Sequence, residues 1–131
     1  MPLDIETILD KSGAAVAVYR EGNSCPMREF LSTVTDDERK KAFKLLKRFA
    51  DFGEIQNVEQ FKKVEGSDGV WEFKPTSMIR LLCFFAENEP RKTVVLTFGL
   101  KKKRAGLRRE DIERVEALRS QYLQEGRERD N

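Results

Sequence analysis

The chain has 131 residues, 37% of them charged and 39% apolar, with a formal net charge of +2 and no histidine. That length predicts one domain, residues 1–131, around a single core over about 14–124, with 125–131 frayed. The missing histidine and the two isolated cysteines, Cys25 and Cys83, argue against a zinc centre, and no metal or cofactor is expected.

No run approaches the roughly 18 apolar residues that a membrane helix needs. The acidic start, with Asp4, Glu6 and Asp10, lacks the pattern of a signal peptide. A cytoplasmic protein with unpaired cysteines is the expectation. The charge is uneven. Residues 70–109 carry ten basic and three acidic side chains, while the segments on either side are net acidic. Such a concentration points to a local polyanion site.

In chain order, residues 3–9 read as one or two helical turns stopped by Gly13, and residues 14–19, rich in valine, as a first strand. Gly22, Asn23 and Pro26 interrupt it. Thr35 and Glu38 form a capping-box pair that opens a helix ending at Gly53. Ala42, Phe43, Leu46, Phe49 and Ala50 make its core stripe, and Lys40, Lys41, Lys44, Lys47 and Arg48 a solvated face. Residues 58–64 read as a short helix or turn, and residues 66–69 as a turn. Strands follow over 70–74, 78–86 and 93–98, joined by short connections that favour antiparallel pairing. The second of these, apolar on both faces except for Arg80, belongs inside the sheet. A last helix spans 109–124. The expected fold is α+β: a small antiparallel sheet of about four strands with helices packed on one face.

Two features carry chemistry. Lys101, Lys102, Lys103 and Arg104, followed by Arg108 and Arg109, form a cationic strand exit free of acids, suited either to phosphate contacts or to plain solvation. Arg80 lies in an apolar strand and needs a partner. That partner is either Glu72 on the neighbouring strand or a phosphate held by the guanidinium fork. Strand alternation puts Glu72 and Lys74 on one side and Trp71 and Phe73, expected in the core, on the other. If Arg80 uses the same polar side, Glu72, Lys74 and Arg80 converge.

Five segments occur in order: Phe61-Lys62-Lys63-Val64-Glu65-Gly66, then Val70-Trp71-Glu72-Phe73-Lys74, then Ile79-Arg80-Leu81-Leu82-Cys83-Phe84-Phe85, then Val95-Leu96-Thr97-Phe98-Gly99-Leu100-Lys101-Lys102-Lys103, and Glu110-Asp111-Ile112-Glu113-Arg114 opening the last helix. Together they resemble the phage-derived HigB-like branch of the RelE toxin superfamily. The resemblance implies a RelE-like fold and the toxin of a type II toxin–antitoxin system. Such a toxin cleaves messenger RNA on the ribosome and is neutralised by a cognate helix-turn-helix antitoxin, through which alone it meets DNA. It implies catalytic roles for Arg80, Lys102, Lys103 and Glu72, with Tyr122 where some members carry a C-terminal tyrosine. Lys74, Lys101, Arg104, Arg108 and Arg109 would contact RNA or phosphate. The chain departs from the pattern in having Leu107-Arg108 in place of Thr-Pro, and in lacking histidine. A non-catalytic member of the fold that binds RNA or an antitoxin is therefore the alternative reading, and an unrelated interaction domain the third.

Overall fold

The computed structural model describes residues 3–102 and 106–129, with side chains described as far as residue 125. In chain order these form strands β1 (Asp4–Asp10) and β2 (Ala15–Arg20), helices α1 (Pro26–Thr33) and α2 (Asp36–Phe52), strands β3 (Phe61–Lys63), β4 (Trp71–Phe73), β5 (Ile79–Phe85) and β6 (Thr93–Lys101), and helix α3 (Arg109–Arg129). The sheet has six strands in the order β1-β2-β6-β5-β4-β3, where about four were expected. It is also mixed rather than antiparallel. The chain between β2 and β6 crosses over and brings β6 back parallel to β2, while the other neighbours are antiparallel.

The helices pack on both faces, not one. A first core cluster joins α1 and α2, through Met27, Leu31, Leu46 and Phe49, to Val16, Leu81 and Leu96 of the sheet. A second joins α3, through Val115 and Tyr122, to Ala17, Leu82, Phe84 and Val95. Strand alternation supplies both sets, which explains why β5 is apolar on its two faces.

The expected helical turns at residues 3–9 are an edge strand instead. Ile5, Ile8 and Leu9 sit at helix-like i, i+3, i+4 spacing, but a register shift between Thr7 and Leu9 produces it. The extra residue moves Leu9 onto the α1–α2 face, while Ile5 stays on the α3 face. Helix α1 falls where a mere interruption was expected. Pro26 opens it in the first turn, where the missing N–H costs nothing, and Met27 and Leu31 are its buried i, i+4 pair. Residues 58–64 contain the three-residue strand β3. Helix α3 runs past its expected end, and Glu125 takes up the backbone N–H of Leu3 at 2.7–2.8 Å. The core therefore reaches outside 14–124, to the buried Leu3.

Helix α2 carries the expected capping box between Thr35 and Glu38, and Gly53 closes it in the left-handed conformation. Its buried stripe is Ala42, Leu45, Leu46, Phe49 and Ala50. Phe43 lies off that stripe, 46% exposed, so its expected place in the core is not found. Phe49 instead centres an aromatic group with Phe61 and Phe73, both at 5.4 Å between ring centroids. Phe49→Ala is expected to destabilise the protein by about 3–5 kcal/mol and Phe43→Ser by less than about 0.5 kcal/mol. Urea unfolding of the two variants measures the contrast, and equal losses would contradict this packing.

One irregularity governs the site. Between β5 and β6 the register shifts, with Leu82 opposite Phe98 and Cys83 opposite Leu96, which leaves Thr97 as an extra residue. The Thr97 hydroxyl donates to the Leu82 carbonyl at 2.8 Å. Every residue after the bulge changes face. Gly99 turns toward α1, where a Cβ would stand 2.2 Å from the Phe30 ring. Lys101 turns to α2, and Lys102 falls on the α3 side.

A cationic cleft at the end of the sheet

On the α3 face, beyond the N-terminal end of α3, strands β3, β4, β5 and the end of β6 open into a cleft of about 510 Å³. Its cations are Lys62, Lys74, Arg80 and Lys102, its carboxylates Glu65 and Glu72, and its apolar wall Val64, Leu107 and Ile112. Sheet register builds the polar floor. Lys62 is opposite Glu72, and Glu72 opposite Leu82, two residues along β5 from Arg80. Trp71 and Phe73 face the other way. Phe73 is buried, and Trp71 stacks on Phe61 at 5.0 Å. Lys102 is placed by its backbone N–H, which donates to the Met78 carbonyl at 2.7 Å and extends the β5–β6 ladder.

Arg80 is both paired and aimed. Its Nε lies 3.2 Å from Glu72 Oε1, with the Arg80 side chain 14% and the Glu72 side chain 6% exposed. Its Nη1 donates to the carbonyls of Thr76 and Ile79 at 3.2 and 3.0 Å. Among the described residues, Nη2 has no hydrogen-bond partner, and Lys62, Lys74 and Lys102 have no ion pair. The two readings of Arg80 are thus compatible. Glu72 and two carbonyls hold the guanidinium in one orientation, and its remaining edge is left for a ligand.

Burial lowers the Lys102 ammonium below its ordinary pKa, and Arg80, Lys62 and Lys74 push it the same way, against the pull of Glu72. Four cations facing two carboxylates favour an anion. A lysine of depressed pKa can also exchange a proton closer to neutrality than a free one. Among the described residues, no group of three or more histidines, cysteines, aspartates or glutamates is arranged to hold a metal ion.

The other expected site residues fall elsewhere. Lys101 reaches Glu38 of α2 at 3.3 Å. Arg108 pairs with Asp111 at 3.4 Å and Arg109 with Glu113 at 3.0 Å, both outside the cleft. Tyr122 packs on Phe84, four residues from Arg80 along β5 and so roughly 13 Å away, and its hydroxyl meets Glu89 at 3.4 Å. It belongs to the core under α3. Lys103 and Arg104 lie outside the described residues. Lys62 lies in the first segment of the family resemblance but was given no site role, because its strand has only three residues and was expected as a short helix or turn.

Fold and cleft together define a small α+β protein with a built cationic site on one sheet face. Residues 29–120 match the family model described as "Phage derived protein Gp49-like (DUF891)". The chain belongs to this family, which is associated with toxins of toxin–antitoxin systems. The matched span includes every cleft residue named above. No curated protein matches the chain. None of the described helices is long and apolar enough to cross a membrane.

Proposed function

We propose that the chain is the toxin of a type II toxin–antitoxin system, of the RelE/HigB kind, and cleaves messenger RNA on the ribosome at this cleft. The observation that carries the reading is the Arg80–Glu72 pair beside three lysines without ion pairs among the described residues. It is the equipment that transfer at a phosphodiester requires. The ribose 2′-oxygen attacks the adjacent phosphorus as its proton leaves. The bond from phosphorus to the 5′-oxygen breaks, and that oxygen gains a proton, giving a 2′,3′-cyclic phosphate and a 5′-hydroxyl. Arg80, through Nη2, stabilises the charge that builds on the phosphoryl oxygens. Glu72 accepts the 2′-proton, and Lys102 supplies the one for the leaving oxygen. Lys62 and Lys74 hold the flanking phosphates. With no histidine in the chain, placement of the message by the ribosome provides part of the rate. A cognate antitoxin silences the protein by covering the cleft or keeping it off the ribosome.

Induced expression of the wild type is expected to arrest growth and to create new RNA 5′-ends inside translated messages. Lys102→Met is expected to remove both. The same change raises the thermal midpoint at neutral pH. Because the folded-state pKa of Lys102 is depressed, its charge opposes folding at neutral pH, and stability increases as pH rises through the folded pKa toward the unfolded value. Growth and 5′-ends unaltered by wild-type expression would select the non-catalytic alternative.

A further inference from the structure

Two smaller cavities adjoin the cleft, and their charges differ in sign. One, of about 310 Å³, shares Lys102, Gly106 and Leu107 with it, is walled mainly by Leu100 and Leu107, and is bordered by Lys101, Arg108 and Asp111. The other, of about 230 Å³, shares Glu65, Leu107 and Ile112, and adds Glu113, Glu116 and Arg109. Leu107 stands where all three meet. The first neighbour thus sets Lys102 and Arg108 against one carboxylate, the Lys101 ammonium being paired with Glu38 of α2, and the second has three carboxylates to one cation.

We infer that the cavity between Leu100 and Leu107 is a subsite for one nucleobase next to the phosphate held by Arg80, so that a single-stranded polynucleotide leaves the cleft over Lys102 toward Arg108. The inference rests on the RNA-binding reading above and adds to it the side on which the strand leaves and a base pocket. A polyanion passing Lys102 meets attraction on the Arg108 side and repulsion from Glu65, Glu113 and Glu116 on the other. The favoured side also offers what a base needs, an apolar slot at the low end of the size range of small-ligand pockets. The side chain of Arg108 is 78% exposed and bonds Asp111 only at 3.4 Å, so it can swing onto the next phosphate. Asp111 remains as a hydrogen-bond acceptor at the rim.

The test uses the whole protein and a trinucleotide with 2′-O-methyl riboses, which binds without being cut. Its affinity is compared with that of two analogues lacking the 5′ or the 3′ base. One analogue is expected to bind about tenfold more weakly than the intact probe. Leu107→Ala should shrink that difference to about twofold. Arg108→Glu should weaken all three probes and reduce the dependence of log affinity on log salt by about one unit, while Glu113→Gln changes nothing beyond about twofold. Binding that needs Arg80 but ignores both base deletions, Leu107→Ala and Arg108→Glu would overturn the subsite and leave the cleft reading intact. Binding indifferent to Arg80→Ala would overturn both.

Discussion

If the proposed nuclease reading holds, Arg80→Ala is expected to abolish growth arrest on induced expression and to lower RNA cleavage by about a thousandfold, the scale on which a preorganised charge at a reacting phosphoryl or acyl centre contributes. The same change strips Glu72 of its partner in a poorly solvated place and is expected to destabilise the fold by roughly 1–3 kcal/mol. Two further variants separate the effects. Arg80→Lys keeps a cation near Glu72 but replaces the planar fork by a point charge, so most of the stability returns while cleavage stays low. Arg80→Met combined with Glu72→Leu removes both charges from the wall and recovers stability with no activity at all. Urea titration and RNA 5′-end mapping on the same four proteins read the two quantities independently. Undiminished toxicity in Arg80→Ala would sink its place in the site.

Gly13→Ala is the second large effect, and it falls on folding. A Cβ at Gly13 would stand 2.1 Å from the Gly53 nitrogen and 2.4 Å from the Phe52 carbonyl carbon. These are backbone atoms at the end of α2, which no rotamer change can move aside. The crowding exists because the N–H groups of Gly13 and Ala14 both donate to the Ala50 carbonyl at 2.9 Å. They satisfy an acceptor that the helix end would otherwise leave bare, and they lock the β1–β2 hairpin to α2. Alanine there forces the two elements apart, and the expected loss is about 3 kcal/mol or more. Gly22→Ala is the control. Gly22 has a φ of 62° and open space around it, so only the left-handed conformation resists the side chain, at about 1 kcal/mol. Chemical denaturation of both variants decides the matter. A Gly13→Ala loss no greater than that of Gly22→Ala would show that the hairpin and helix do not touch this closely.

Much of the cleft could be read from residue order because it depends on alternation within single strands. Trp71-Glu72-Phe73-Lys74 divides itself into a core side and a polar side, and Arg80 needs a polar neighbour wherever it lies. The long helix α2 was readable as well, since its cap and its stop are local. Other features depend on distant chain. Residues 3–9 read as helix because a bulge spaces their apolar side chains like one. Pro26 reads as an interruption unless Met27 and Leu31 are known to have a surface to cover. Nothing in Ile112, Val115 and Leu118 says on which side of a sheet they will settle, so three helices on one face and two opposed by one look the same in sequence. The cations Lys101, Arg108 and Arg109 were grouped with the cleft by proximity along the chain and Tyr122 by the family resemblance, whereas the sheet's registers and the packing of α3 separate them from it in space.

The single surplus residue at Thr97 acts like a parity bit for the strand it interrupts. Substitutions around it alter one side chain at a time, but a one-residue deletion or insertion at the bulge itself exchanges the destinations of Gly99, Leu100, Lys101 and Lys102 together. The lysine that completes the cleft, the glycine that admits Phe30 and the leucine that packs against the α3-side core are thus tied into one block. For relatives compared with this chain, counting from the bulge rather than from the chain's start identifies the residue equivalent to Lys102. A relative lacking the bulge would have to present its cation from the neighbouring position.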